Sequence, residues 1–401
     1  MGREGSGPGG LRALALNLAL LAGTVLVVLG LLEVLARLSR VGSQAKDTRA
    51  HYLEYDPLLG WRKKPDALVT FREPEYAVDV RTNSLGLRDP DRGYPDPEVF
   101  TVLALGDSFV EGYTVPLGAT VTQVLETGLR GSGCPAEVIN GGTSAYSTDQ
   151  EYLFYTSEGI KYAPRVVVLF FYYNDIVYNA LQSEAGTPKP ILVLRDGELK
   201  VHRFPVERPK ALRGEASLSP EPEGRVRSAA LEWVRDRLWY GAPRTYDLLG
   251  RLGLWNPRRH AGAPLELRVY DRTPNERVEA GWEATGIILS HLAHETEARG
   301  ARLLVAYVPS RMEVDEAAWR LSVQTYPLSG PGWDRELVLE RLSALAKAAG
   351  IPLLDLTPAL QRAGAAYFPR DGHWNALGHR TAAEAVRGFL REHGWLAGCT
   401  G

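Results

Sequence analysis

Cysteine and methionine are nearly absent from this 401-residue chain, with two of each. Two thiols exclude a disulfide-built scaffold and a four-thiolate zinc site. Cys134 and Cys399 lie far apart in sequence and read as two free thiols, a single bridge being open only to an exported chain. Lysine is scarce, 8 against 38 arginines, which with abundant Ala and Gly reads as the bias of a GC-rich genome. A charge imbalance is missing as well. The 46 basic residues against 48 acidic leave a net charge of -2, which gives no support for a general nucleic-acid binder. No phosphate-binding Gly-x4-Gly-Lys loop and no internal repeat occur. With 45% hydrophobic and 23% charged residues, wholesale disorder and fibrous architectures are excluded.

One long apolar run is present. Ala13 to Leu32 carries no charge and one strongly polar residue, Asn17. Twenty helical residues span roughly 30 Å, the hydrocarbon thickness of a bilayer. The run is longer than the core of a cleaved signal peptide, and no small-x-small cleavage site follows it. It reads as an uncleaved single-span anchor over 13–35, after a short tail, 1–12. Arg3 and Arg12 precede it, whereas Arg37, Arg40, Lys46 and Arg49 follow, so the charge count leans towards a cytoplasmic C-terminal portion.

Residues 41–98, with scattered prolines, suit a linker with a few short strands. Beyond it lies a domain over 99–395, in which apolar runs alternate with helical patterns. The runs are Phe100–Leu105, Glu137–Ile139, Arg165–Phe171, Arg302–Val308 and Ile351–Leu354; the helices fall near 117–130, 149–161, 277–299, 334–348 and 376–392. Continuous apolar strands between helices predict an α/β fold: a three-layer α/β/α sandwich around a parallel sheet of about five strands, flavodoxin-like. Residues 178–275 interrupt the alternation. They carry a hairpin signal at Asp196-Gly197, a loop over 207–224 and a helix around 225–239. The insertion reads either as mere packing on the sheet or as a functional element, a substrate lid or a patch leaning on the membrane surface.

The chemistry begins at Gly106-Asp107-Ser108-Phe109, between a strand and a helix, where a serine hydroxyl is exposed beside backbone N–H groups. A nucleophilic serine needs a base, and the base needs an acceptor that fixes its tautomer. Asp371-Gly-His373-Trp374-Asn375, just before the last helix, can supply both. In Tyr172-Tyr173-Asn174-Asp175, after another strand, Asn174 can turn its amide into the same crevice. Each motif has a plainer explanation as a turn or a cap.

Together and in this order, they resemble the SGNH (GDSL-type) hydrolase superfamily. The resemblance implies Ser108 as nucleophile, Asp371 and His373 as acid and base, and an oxyanion hole from the Ser108 N–H, the Asn174 amide and a backbone N–H in Val138–Gln150. That last donor aligns with Ala145, where members usually carry glycine, with Gly142 as the fallback. Two further departures stand out. The third motif lacks its leading glycine, with Tyr172 or Tyr173 there instead, so that a bulky ring would narrow the site, and a single residue separates Asp371 from His373. The compact Asp-x-His-Trp-Asn form resembles membrane-associated members involved in bacterial polysaccharide O-acetylation. Asp56-Pro-Leu-Leu-Gly-Trp61 and Asn83-Ser-Leu-Gly-Leu-Arg88 resemble their lead-in segments.

The resemblance implies a membrane-anchored serine esterase cleaving a small acyl ester, such as acetyl, from a carbohydrate or lipid-linked substrate, with no metal or organic cofactor. An O-acyltransferase using the same triad and a silent envelope scaffold are the alternatives. Anchored relatives generally face outward, which we weigh above the charge count. Of the remaining candidates, His291-x-x-His294 lacks the other ligands of a zinc hydrolase and reads as a solvated helix face. His379 follows Gly378 near the start of the last helix and reads as lying outside the site, and Glu111-Gly-Tyr113 as either packing or an acyl-pocket lining.

Overall fold

The computed structural model describes residues 8–38, 51–73, 75–94, 99–184, 187–208, 242–253, 264–326, 332–397 and 399, with isolated residues between 228 and 238. The chain forms two compact units, residues 1–47 with 221–257, and residues 48–220 with 258–401. In the first, Pro8–Leu38 is one helix, within which the twenty residues Leu16–Leu35 are long and apolar enough to cross a membrane. Glu33 accepts hydrogen bonds from the Ser228 hydroxyl and the Ala230 amide at 2.7 and 3.0 Å, and a second helix spans Pro243–Arg251. The expected loop over 207–224 and helix around 225–239 fall largely outside the described residues; Leu231 and Leu238 within the latter are helical.

The second unit opens with two antiparallel hairpins in the stretch expected as a linker. They are β1 (Leu53–Asp56) with β2 (Gly60–Lys63), and β3 (Leu68–Glu73) with β4 (Tyr76–Arg81). The central sheet follows: β5 (Phe100–Leu105), β6 (Ala136–Asn140), β7 (Val166–Tyr172), and, after the insertion, β12 (Arg302–Val308) and β13 (Leu353–Asp355). The insertion contributes two small hairpins, β8 (Ser183–Glu184) with β9 (Thr187–Pro188), and β10 (Leu192–Arg195) with β11 (Glu198–Val201). Asp196 and Gly197 join the last pair with φ of 55° and 81°, the two left-handed residues that a tight hairpin turn requires.

All five central strands are parallel, in the order β13-β12-β7-β5-β6. Counted within the sheet this is 2-1-3-4-5, the flavodoxin-like order. Its chain direction reverses between β5 and β7, where ligands settle at the strands' carboxyl ends. Alternate residues supply the two cores. Leu103, Leu105, Val167, Leu169 and Val305 face one side, with helices Thr148–Ser157, Glu276–Glu297 and Leu337–Ala348. Val102, Ala104, Val168, Phe170 and Leu304 face the other, with helices Val121–Arg130, Thr357–Ala363 and Ala376–Glu392. Both faces are covered, which explains why the strands read as continuous apolar runs.

The cysteines require a correction: Cys134 and Cys399 form a disulfide. Helix Ala376–Glu392 packs along helix Val121–Arg130, with the Arg387 guanidinium donating to the Gly128 carbonyl at 3.2 Å. The chain after the last helix is thereby returned to the loop that leads into β6, where Cys134 sits.

Candidate active site

Ser108 opens a four-residue helix, Ser108–Glu111, directly after β5. Asp107 caps it by accepting the Phe109 amide at 2.8 Å, and burial pushes the Asp107 carboxyl up to about 6. Gly106 cannot carry a side chain, since a Cβ there would stand 2.4 Å from Val110. The turn therefore delivers the Ser108 hydroxyl to the sheet's carboxyl edge.

Across the crevice, Phe368 and His373 close a tight turn, the Phe368 amide donating to the His373 carbonyl at 2.8 Å. Gly372 takes φ 84° inside it, which lets one intervening residue bring Asp371 and His373 together. The Ser108 Oγ lies 2.7 Å from His373 Nε2, and His373 Nδ1 lies 2.6 Å from Asp371 Oδ1. A carboxylate accepting at Nδ1 leaves Nε2 as the acceptor for the serine hydroxyl. Phe109 lies against the imidazole with ring centres 4.8 Å apart, and the Tyr113 ring meets it edge-on. Burial pushes the Asp371 carboxyl up, but the hydrogen bond and charge of His373, with the Tyr76 hydroxyl, bring it below the ordinary carboxylate range.

Asn174 opens the helix Asn174–Tyr178 after β7, next to β5 in the sheet. Tyr172 and Tyr173 turn to packing: Tyr172 lies 4.7 Å from the Phe109 ring and Tyr173 5.3 Å from Tyr270. In the 141–146 loop after β6, most amides are engaged. Gly141 donates to Ala104, Gly142 to Asn140 Oδ1, Thr143 to Gly106, Ser144 to Glu111 and Tyr146 to Thr143. The N–H of Ala145, a residue at φ 67°, has no hydrogen-bond partner among the described residues. Among the described residues, the N–H groups of Ser108 and Ala145 and the Asn174 side-chain amide lack hydrogen-bond partners. A carbonyl oxygen turning into an oxyanion needs donors of this kind, not already engaged elsewhere. The Gly142 amide, the fallback donor, is occupied.

Several contributing residues escaped the sequence reading. Tyr76, at the tip of the β3–β4 hairpin, donates to Asp371 Oδ2 at 2.8 Å. Its neighbour Glu75 accepts the amides of Arg370 and Asp371 at 3.0 and 2.9 Å. Arg88, wholly buried, donates to the carbonyls of Glu111 and Val115. The lead-in motif ending in Arg88 was the one available signal; nothing marked Glu75 or Tyr76. Glu111 is buried and accepts the Ser144 amide of the 141–146 loop, whereas Tyr113 borders His373. His379 is buried in contact with Trp374, its Nδ1 accepting the Val121 amide at 3.2 Å. His291 bonds the carbonyls of Ile287 and Gly197.

The chain thus carries a Gly-Asp-Ser turn after its first central strand and an Asp-x-His turn before its last helix on a flavodoxin-like α/β/α fold. Residues 269–399, about a third of the chain, match the sequence model of the family described as SGNH hydrolase-like domain, acetyltransferase AlgX. That stretch holds Asp371 and His373 but neither Ser108 nor Asn174. No curated protein matches the chain. Among solved structures, it is similar to a GDSL-like lipase from Bacteroides thetaiotaomicron VPI-5482, at 12% identity over 75% of this chain and 93% of that one, with a TM-score of 0.35. A lipase/acylhydrolase from Enterococcus faecalis is similar at 10% identity over 74% and 97%, TM-score 0.36. A catalytic mutant of Axe2, an acetylxylan esterase from Geobacillus stearothermophilus, is similar at 14% identity over 74% and 94%, TM-score 0.35.

Proposed function

We propose that this chain is a serine esterase that removes a small acyl group, such as acetyl, from a carbohydrate or lipid-linked substrate. The observation that carries the reading is the unbroken hydrogen-bonded line from Ser108 through His373 to Asp371. In the proposed reaction, Ser108 Oγ attacks the ester carbonyl while its proton passes to His373 Nε2. Asp371 holds the imidazolium. The oxyanion is taken by the N–H groups of Ser108 and Ala145 and the Asn174 amide. Collapse breaks the bond to the alcohol oxygen, which receives the proton from His373, leaving an acyl group on Ser108. Water, deprotonated by His373, then releases the acid.

The AlgX-type match favours a second reading in which a sugar hydroxyl replaces water and a new ester leaves. Both readings share the first half-reaction. The test is p-nitrophenol release from the acetate and butyrate esters by the detergent-solubilised full chain and its Ser108→Ala variant. Turnover that disappears with Ser108 is expected; equal inertness of both proteins overturns the esterase reading. Added sugar acceptors that gain an acyl group at the expense of hydrolysis would favour the transferase.

The helix over 13–35 serves, in this proposal, as a single-span anchor with the catalytic portion outside the cytoplasm. The Cys134–Cys399 bridge supports that orientation, because such bonds persist in oxidising compartments. A C-terminal reporter active only in the cytoplasm would overturn it.

A further inference from the structure

The turn that presents Ala145 is held from outside by residues of the lead-in segment. Thr143 to Tyr146 form a β-turn, closed by the Tyr146 amide donating to the Thr143 carbonyl at 3.1 Å. Its third residue, Ala145, has φ 67°, the sign found in type II turns and normally met by glycine. Alanine by itself favours the type I turn, which differs by a flip of the central peptide, here Ser144–Ala145. A trans peptide is planar, with its C=O and N–H pointing in opposite directions. The orientation of the Ser144 carbonyl therefore decides where the Ala145 N–H points.

That carbonyl accepts the indole N–H of Trp61 at 3.2 Å. The preceding peptide is tied as well, the Ser144 amide donating to Glu111 Oε2 at 2.6 Å. Glu111 is fully buried, and its other oxygen accepts the Tyr52 hydroxyl at 2.9 Å. The Lys63 ammonium donates to the Gly142 carbonyl and, at 2.7 Å, to the Thr143 hydroxyl. Trp61 is held in its turn by the Tyr146 hydroxyl, which donates to the Trp61 carbonyl at 2.6 Å. Gly142 lets the loop approach this closely, since a Cβ there would meet the Glu111 amide nitrogen at 2.5 Å.

We propose that Trp61 and Glu111 are positioning residues that hold the Ser144–Ala145 peptide in the orientation presenting the Ala145 N–H to the oxyanion. The inference rests on the serine-esterase reading for its kinetic consequence, though not for its structural one. Trp61→Phe keeps the ring against Tyr146 and removes the N–H. In the full chain it is expected to lower kcat about 10-fold with KM within about twofold, a fraction of the loss seen when an oxyanion donor is removed outright. Glycine holds the type II turn unaided, so adding Ala145→Gly to Trp61→Phe should restore most of the lost kcat. A general packing defect would not be rescued in this way. An unchanged kcat in Trp61→Phe, or a loss that glycine leaves in place, overturns the proposal. If Trp61→Phe does not fold, Glu111→Gln carries the same test with the same rescue, and an unchanged kcat there overturns it equally. A crystal structure of Trp61→Phe (or of Glu111→Gln in its place) decides the matter even if the wild type turns over no ester. A flipped or averaged Ser144–Ala145 peptide is expected, and an undisturbed one overturns the positioning role.

Discussion

Ser108, His373 and Asp371 come from opposite ends of the unit, yet their polar atoms lie within 2.7 Å of one another in sequence along the relay. In the proposed reaction each side chain around them has a separable task, and these tasks set the expected kinetics. In the proposed oxyanion site Asn174 offers an amide with no partner among the described residues. Asn174→Ala should lower kcat by about 10²–10³ while leaving KM and the melting temperature nearly unchanged. Ala145 occupies a left-handed conformation that costs an L-residue about 1–2 kcal/mol, whereas glycine gives up about 0.5–1 kcal/mol of chain entropy instead. Ala145→Gly alone is therefore expected to keep kcat within about twofold and to change stability by less than about 1 kcal/mol, by urea unfolding. The Gly-Asp-Ser and Asp-x-His motifs were legible because their chemistry sits in consecutive residues. The Tyr76 hydroxyl was not, since its partner Asp371 lies 295 positions away.

At the level of elements, the β3–β4 hairpin reaches the 368–373 turn and β1–β2 reaches the 141–146 loop, so the stretch expected as a linker borders the candidate site. Phe71 of β3 packs 4.9 Å from Tyr113, and Tyr76 packs 5.1 Å from Phe368, seating the hairpin on both sides of His373. Tyr76→Phe preserves these ring contacts and removes only the hydrogen bond to Asp371. It should lower kcat about 3- to 10-fold, the worth of one charge-assisted hydrogen bond partly replaced by water. A larger fall accompanied by a lower melting temperature would mean that the hairpin itself had come away. The β10–β11 hairpin was legible from Asp196-Gly197, because turn chemistry is local. The docking of β3–β4 on the 368–373 turn depends on side chains with no periodic or turn signature, so sequence reading passes over it.

For the whole molecule, two features link stability to conditions. The Cys134–Cys399 bridge ties the end of the chain to the loop before β6. Cys399→Ser should cost about 2–4 kcal/mol, read by urea unfolding without reductant, and the wild type should lose a similar amount on reduction. His379 is buried, and burial together with the nearby charges of Arg88 and His373 lowers it from 6.5 to about 3. The unfolded chain therefore takes up a proton below pH 6.5 that the folded chain refuses, so stability rises with pH through this window and falls on acidification. By linkage the loss between pH 6.5 and 5 is roughly 2 kcal/mol. His379→Gln should show a flatter melting temperature over that range; an unchanged slope would assign the acid sensitivity to other groups.

The amino-acid sequence by itself determined the alternation of strand and helix, the apolar segment near the N-terminus and the three short motifs. Each of these follows from periodicity, length or the needs of adjacent residues. The tertiary structure alone decided what depends on contacts across hundreds of positions: the disulfide, the burial of His379 beneath Trp374, the occupied Gly142 amide and the one at Ala145 without a partner among the described residues, and the two hairpins set against the site. Such contacts arise from the packing of whole elements, and packing leaves no periodic trace in the residues that it brings together.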